Sequence, residues 1–120
     1  MDILRTTIVL DAPDLEAESS FWAGMYGGTV EAEPDWHDVV VDGQTKLGIQ
    51  LAPDHVRPEW PGGDQQQQIH LDLHVPDIAA ADVEAKRLGA RVLQEADIGQ
   101  TSGFVVYADP AGHPFCLCWG

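Results

Sequence analysis

The sequence predicts an α+β fold: tandem βαβββ modules forming a curved mixed sheet with a concave pocket. Three observations carry that prediction. Polar and apolar residues alternate from Gln68 to Val75, the period of a strand with one apolar face. Two helical stretches each follow a strand and each start at an aspartate suited to cap them, Asp14 and Asp77. The segment Val9-Leu10-Asp11-Ala12-Pro13-Asp14-Leu15 overlays Asp72-Leu73-His74-Val75-Pro76-Asp77-Ile78 at an offset of 63 residues, so the chain reads as a repeat.

Taken in order, Ile3 to Asp11 reads as a strand that Pro13 ends. Leu15, Trp22, Met25 and Tyr26 then lie on one helical stripe, with Glu16 and Glu18 at the positive end and Gly27-Gly28 as the stop. Thr29 to Glu33, Trp36 to Val41 and Lys46 to Ala52 read as strands, with Asp42-Gly43 as a hairpin turn. Pro53, Pro58, Pro61, Gly62 and Gly63 mark a connector. The order then recurs. Gln67 to Val75 is a strand with Ile69, Leu71, Leu73 and Val75 on its apolar face and Gln68, His70, Asp72 and His74 on the other. Ile78, Ala81, Ala85 and Leu88 form a helical stripe that Gly89 closes. Arg91 to Ala96, Gly103 to Ala108 and Pro114 to Trp119 are the last strands, with Asp109-Pro110-Ala111-Gly112 as a turn.

At 120 residues the simplest expectation is a single domain, the alternative being two very small ones packed together, with module one about 1–55, a connector about 53–66 and module two about 67–120. One sheet with one helix leaves a face uncovered. Two such units side by side cover their helix-side faces and share a cup. His70 lies in that cup if the Ile69 parity packs against the helix.

The net charge of −14 argues against nucleic acid and anionic membranes, which need a basic footprint, and is compatible with a cationic small molecule. No apolar run is long enough to span a bilayer, and Met1-Asp2-Ile3-Leu4-Arg5 does not resemble a signal peptide, so a cytoplasmic location is expected. Cys116 and Cys118 share a strand face with Cα atoms about 6.6–7 Å apart, at the limit for a disulfide. Free thiols fit a reducing compartment.

Several residues together resemble a family. They are the repeat itself, Phe21-Trp22-x-x-Met25-Tyr26-Gly27, Ile69-His70-Leu71-Asp72-Leu73-x-Val75-x-Asp77, Leu88-Gly89-Ala90 and Asp109-Pro110-Ala111-Gly112-His113-Pro114-Phe115-Cys116. In that order they resemble the vicinal-oxygen-chelate superfamily of glyoxalase I, the bleomycin-resistance proteins and the extradiol dioxygenases, and within it the small bacterial glyoxalase-like domains. The resemblance implies four inward side chains, one from the first and one from the last strand of each module. Counting seven residues back from each helix cap reaches His70, which matches the family's ligand, and Thr7, which does not. Counting forward from Asp109 reaches Cys116, where metal-dependent members usually carry a glutamate. Its module-one counterpart on that count is Gln50.

Thr7, Gln50, His70 and Cys116 make a poor metal set, because no carboxylate stands at any of the four positions. No cofactor is therefore expected. If a divalent metal is bound, His70, Gln50 and Cys116 are the residues to hold it. The expected ligand-binding residues are His70, Cys116, Gln50, Thr7, Asp72, Trp36 and Trp60, the two tryptophans as surfaces that stack on a ligand or simply pack. Asp72 with His74 also reads as a rim or subunit-interface pair. Two functions follow. One is a metal-free small-molecule-binding protein of the bleomycin-resistance type, sequestering a cationic or aromatic compound. The other is a metal-dependent lyase, isomerase or dioxygenase of the glyoxalase I type with altered ligands. Superfamily members commonly pair, and a homodimer is expected.

Overall fold

The computed structural model describes residues 1–120 and divides into two compact units, Met1–His55 and Val56–Gly120. Unit one runs β1 (Ile8–Ala12), α1 (Leu15–Tyr26), β2 (Thr29–Ala32), β3 (Trp36–Val41) and β4 (Gln44–Leu51). Unit two repeats the order with β5 (Leu71–His74), α2 (Ile78–Leu88), β6 (Arg91–Gln94), β7 (Gly103–Ala108) and β8 (Pro114–Trp119). Each unit holds one four-stranded mixed sheet, ordered β1-β4-β3-β2 in the first and β5-β8-β7-β6 in the second. The first strand of each pairs parallel with the last, and the remaining pairs are antiparallel. The α+β duplication expected from the sequence is the architecture observed.

The helices begin and end where their side chains dictate. Asp14 Oδ1 accepts the Ala17 N–H at 3.0 Å, and Asp77 Oδ1 accepts the Ala80 N–H at 3.1 Å. Each cap satisfies one of the orphan donors of a first turn, worth about 0.5–2 kcal/mol. Gly27 and Gly89 take left-handed backbone at the C-caps. In unit one α1 lies against β2, β3 and β4 and buries Leu15, Phe21 and Trp22 with Val39, Leu47 and Ile49. Ser19 Oγ lies 2.8 Å from His37 Nδ1 and ties α1 to β3. In unit two α2 lies against β8, and the Tyr107 hydroxyl donates to Asp82 Oδ1 on the helix at 2.6 Å.

β2 and β6 stop at Ala32 and Gln94, short of the expected Glu33 and Ala96, and two further strands depart more from their sequence pattern. The first was expected from Ile3, yet β1 starts at Ile8, opposite Leu47 on β4. Residues 1–7 find no ladder partner, and Ile3 and Leu4 are exposed. The strand expected over Gln67–Val75 is confined to Leu71–His74. Its partner β8 opens at Pro114, which has no N–H to offer, and the first paired residues are Leu71 and Phe115. Ile69 therefore leaves the apolar row and is 79% exposed. Leu71 and Leu73 keep the expected alternation, half-buried between the exposed Asp72 and His74. No helix is long and apolar enough to cross a membrane.

Candidate functional site

Side chains directly opposite one another across a ladder share a face. In unit two the register places Asp72 opposite Cys116, Cys116 opposite Val106, and Val106 opposite Gln94. The neighbouring row on the same face runs His74, Cys118 and Phe104. The other parity, with Phe115, Leu117, Val105 and Tyr107, is buried. The row through Asp72 lies on the opposite face, where Cys116 and Val106 are also buried but Asp72 and Gln94 at its two ends are exposed.

The connector closes over this face. Glu59 N–H donates to Gln65 O at 2.9 Å, which shapes a loop that carries Trp60. Gln67 pins the returning chain to β8. Its Nε2 donates to Pro114 O at 2.9 Å, and its Oε1 lies 2.9 Å from His113 Nδ1. His113 is thus an anchor for the loop. The Trp60 and His70 rings meet edge to face with centroids 5.9 Å apart. Trp60, His70, Asp72, Gln94, Phe104, Cys116 and Cys118 together line a cavity of about 260 Å³. That lies near the small end of ordinary ligand pockets, roughly 300–1,000 Å³. Phe104 is 47% exposed and the Trp60 indole N–H is buried without a hydrogen-bond partner.

The polar corner of the cavity is compact. His70 Nε2 lies 3.1 Å from Asp72 Oδ1. One ligating atom each from His70, Asp72 and Cys116 all fall within 4.8 Å of one another. Burial pushes the Cys116 thiol pKa up, and the Asp72 carboxylate beside it raises it further, to about 12. Cys118 is raised for the same two reasons, burial first. A thiol held protonated in this way is a poor nucleophile, because the thiolate is the attacking species. Both cysteines are free.

Four of the residues expected at a binding site, His70, Asp72, Cys116 and Trp60, are brought together. Gln94, Phe104 and Cys118 complete the lining and were not foreseen. The C-x-C spacing already placed Cys118 on the Cys116 face. Gln94 and Phe104 enter only through the β6–β7–β8 register.

Thr7, Gln50 and Trp36 belong to unit one. Thr7 is half-buried just before β1, and Gln50 is exposed on β4. Trp36 packs its indole on Gly48, where a Cβ would lie 2.4 Å from Trp36 Cζ2, and its Nε1 donates to Asp38 Oδ1 at 2.8 Å. The pairing of Cys116 with Gln50 by counting is corrected by two residues. Val9, the counterpart of Asp72, stands opposite Gly48, so Gly48 is the equivalent of Cys116 and Gln50 that of Cys118. Where unit two has His70, Asp72 and Cys116, unit one has Thr7, Val9 and Gly48. The repeat keeps the scaffold and changes the chemistry.

The sequence profile of the glyoxalase-like domain matches residues 7–118. The chain belongs to the glyoxalase-like domain family. Its place in the vicinal-oxygen-chelate superfamily follows from that match and from solved structures of the same fold. A glyoxalase-related enzyme from Fulvimarina pelagi is 20% identical, with a TM-score of 0.67 over 98% of this chain and 89% of that one. A lactoylglutathione lyase from Agrobacterium tumefaciens is 19% identical, with a TM-score of 0.62 over 100% and 96%. A variant of the fosfomycin resistance protein FosX from Listeria monocytogenes, complexed with Mn(II) and 1S,2S-dihydroxypropylphosphonic acid, is 13% identical, with a TM-score of 0.68 over 98% and 90%. No curated protein sequence matches the chain. At these identities the neighbours establish the fold.

The metal of that FosX complex is a hard ion that favours carboxylate, carbonyl and water oxygens. The glyoxalase-like chain described here does not fit it. Its polar corner offers one carboxylate, one imidazole and one sulfur. Thr7 and Gln50 add no anionic donor.

Proposed function

We propose that this glyoxalase-like protein binds a small organic cation with an apolar or aromatic body in the unit-two cavity, and acts as a sequestering protein of the bleomycin-resistance type. The observation that carries the reading is a carboxylate, Asp72, set in a cavity walled by Trp60 and Phe104. Aromatic faces and a carboxylate are complementary to a cation with an apolar body. The net charge of −14 draws cations toward the protein at low ionic strength. The buried Trp60 N–H adds a donor for a ligand acceptor once the loop adjusts. As a sequestering protein it is read as cytoplasmic and homodimeric. The exposed apolar residues Ile3, Leu4, Ile8 and Val9 at and before β1 support a self-association surface.

The test is a thermal-shift and calorimetric titration of chelator-treated protein with an arylalkyl ammonium, its neutral isostere and the matching aryl carboxylate. The ammonium is expected to stabilise the protein, by about 2.7 kcal/mol at a hundredfold excess over Kd. The isostere should bind about tenfold more weakly and the carboxylate not measurably. Asp72→Asn should remove the preference for the cation. Equal or tighter binding of the carboxylate would refute the reading.

A second reading, a metal-dependent lyase, isomerase or dioxygenase, draws on the closeness of His70, Asp72 and Cys116. It requires that an added metal confer turnover, whereas the sequestering reading requires ligand binding with none.

A further inference from the structure

The misfit with a hard ion is itself informative. Sulfur and imidazole donors select thiophilic ions such as Zn²⁺, and carboxylate is a common third ligand for them. From the three donor atoms gathered within 4.8 Å at one corner of a cavity, we infer that His70, Asp72 and Cys116 form a site for a thiophilic divalent ion, complete within unit two. The inference uses the same cavity as the organic-cation reading but does not depend on it.

Geometry allows the site to close. A tetrahedral ion with nitrogen and oxygen at about 2.0–2.2 Å and sulfur at about 2.3 Å needs its donors roughly 3.3–3.8 Å apart. The contraction of about an ångström falls on the His70 and Asp72 side chains, which are 42% and 51% exposed. Cys116 stays fixed in β8, 3% exposed, and gives the ion a rigid point of attachment. Asp72 is the decisive member. It supplies the carboxylate that counting along the strands did not find, and its counterpart in unit one is Val9, which cannot ligate. Three protein ligands leave a fourth position for water or another small donor, and the cavity provides the room. When the ion binds, the Cys116 S–H bond breaks, the sulfur–metal bond forms, and the proton passes to solvent.

The experiment is a Co²⁺ titration of the full, metal-stripped chain without organic ligand, followed by absorption, with Zn²⁺ and Mn²⁺ compared by thermal shift. Expected are a near-ultraviolet thiolate-to-cobalt band saturating at one equivalent, displacement by Zn²⁺, and no comparable effect of Mn²⁺. Cys116→Ser should abolish the band, and Cys118→Ser should retain it. Asp72→Asn, at an exposed position that tolerates the change, should weaken Co²⁺ at least tenfold, with circular dichroism confirming the fold of each variant. Saturation without a thiolate band would overturn the site, as would an unchanged affinity in Asp72→Asn or stabilisation by Mn²⁺ equal to that by Zn²⁺. Loss of the band in Cys118→Ser alone would also overturn it. If cobalt fails while the arylalkyl ammonium still binds, the metal site falls and the organic-cation reading stands.

Discussion

Asp72 on β5 stands opposite Cys116 on β8 in a parallel ladder, and its carboxylate sits beside the Cys116 thiol. That pair makes the polar corner of the cavity a place where negative charge and latent sulfur chemistry meet.

The first prediction concerns that pair. Asp72→Asn removes the carboxylate but leaves the burial, the larger cause of the raised thiol pKa. The pKa should therefore drop from about 12 without returning to its ordinary value. In folded protein at mildly alkaline pH, alkylation at Cys116 and Cys118 should quicken several-fold, read by mass spectrometry against time. Unchanged rates would show that Asp72 does not act on the thiols.

A second prediction concerns the tie between helix and sheet. Burial alone would raise the Asp82 pKa, but hydrogen bonds from Tyr107 and Lys86 outweigh it and leave the carboxyl below its usual value. A depressed carboxyl contributes stability that is complete above its unfolded pKa of 3.8 and is lost as the pH falls through the folded value. Tyr107→Phe removes a hydrogen bond to a charged group and should cost about 1.5–3 kcal/mol at neutral pH. Urea unfolding across the acid range should show the gap between the two proteins narrowing once the pH falls below 3.8.

Third, Gly48→Ala should destabilise unit one through contact alone. The added methyl would meet the Trp36 ring and force the indole off β4. Overpacking of this kind costs about 1–3 kcal/mol. The urea midpoint should fall and the Trp36 emission should change. Gly62→Ala, where a methyl meets nothing within 4 Å, should move the midpoint by no more than about 0.5 kcal/mol.

Fourth, Asp14→Ala and Asp77→Ala should each lower stability by about 0.5–2 kcal/mol, because each leaves a first-turn N–H without its acceptor. Asp→Asn at either cap should recover most of the loss. Chemical denaturation checks both.

The helices were legible because their signals are local. Asp14 and Asp77 name the starts, and Gly27 and Gly89 name the stops. Strand lengths were less so. Alternation around Ile69 is as regular as around Leu73, yet β5 ends where its partner offers a proline, a fact belonging to β8. The same division runs through the site. His70, Asp72 and Cys116 stood out by residue type and position. Phe104 and Gln94 depend on which residue faces which across three strands, and no local pattern encodes that. Counting from the turn paired Cys116 with Gln50, whereas the ladder makes Gly48 its equivalent, because β4 starts two residues further ahead of the matched position than β8 does: Gly48 is the fifth residue of β4 and Cys116 the third of β8.

Trp36 stoppers its sheet over Gly48, while the matching position in the other half opens onto an unfilled space. Drift in the twin halves therefore meets different penalties. Changes around the stopper are felt as misfolding and are purged. Changes around the open position alter what is recognised and leave the scaffold standing. A lineage evolved in the laboratory toward a new cargo should gather its substitutions in the second half and leave the first nearly untouched.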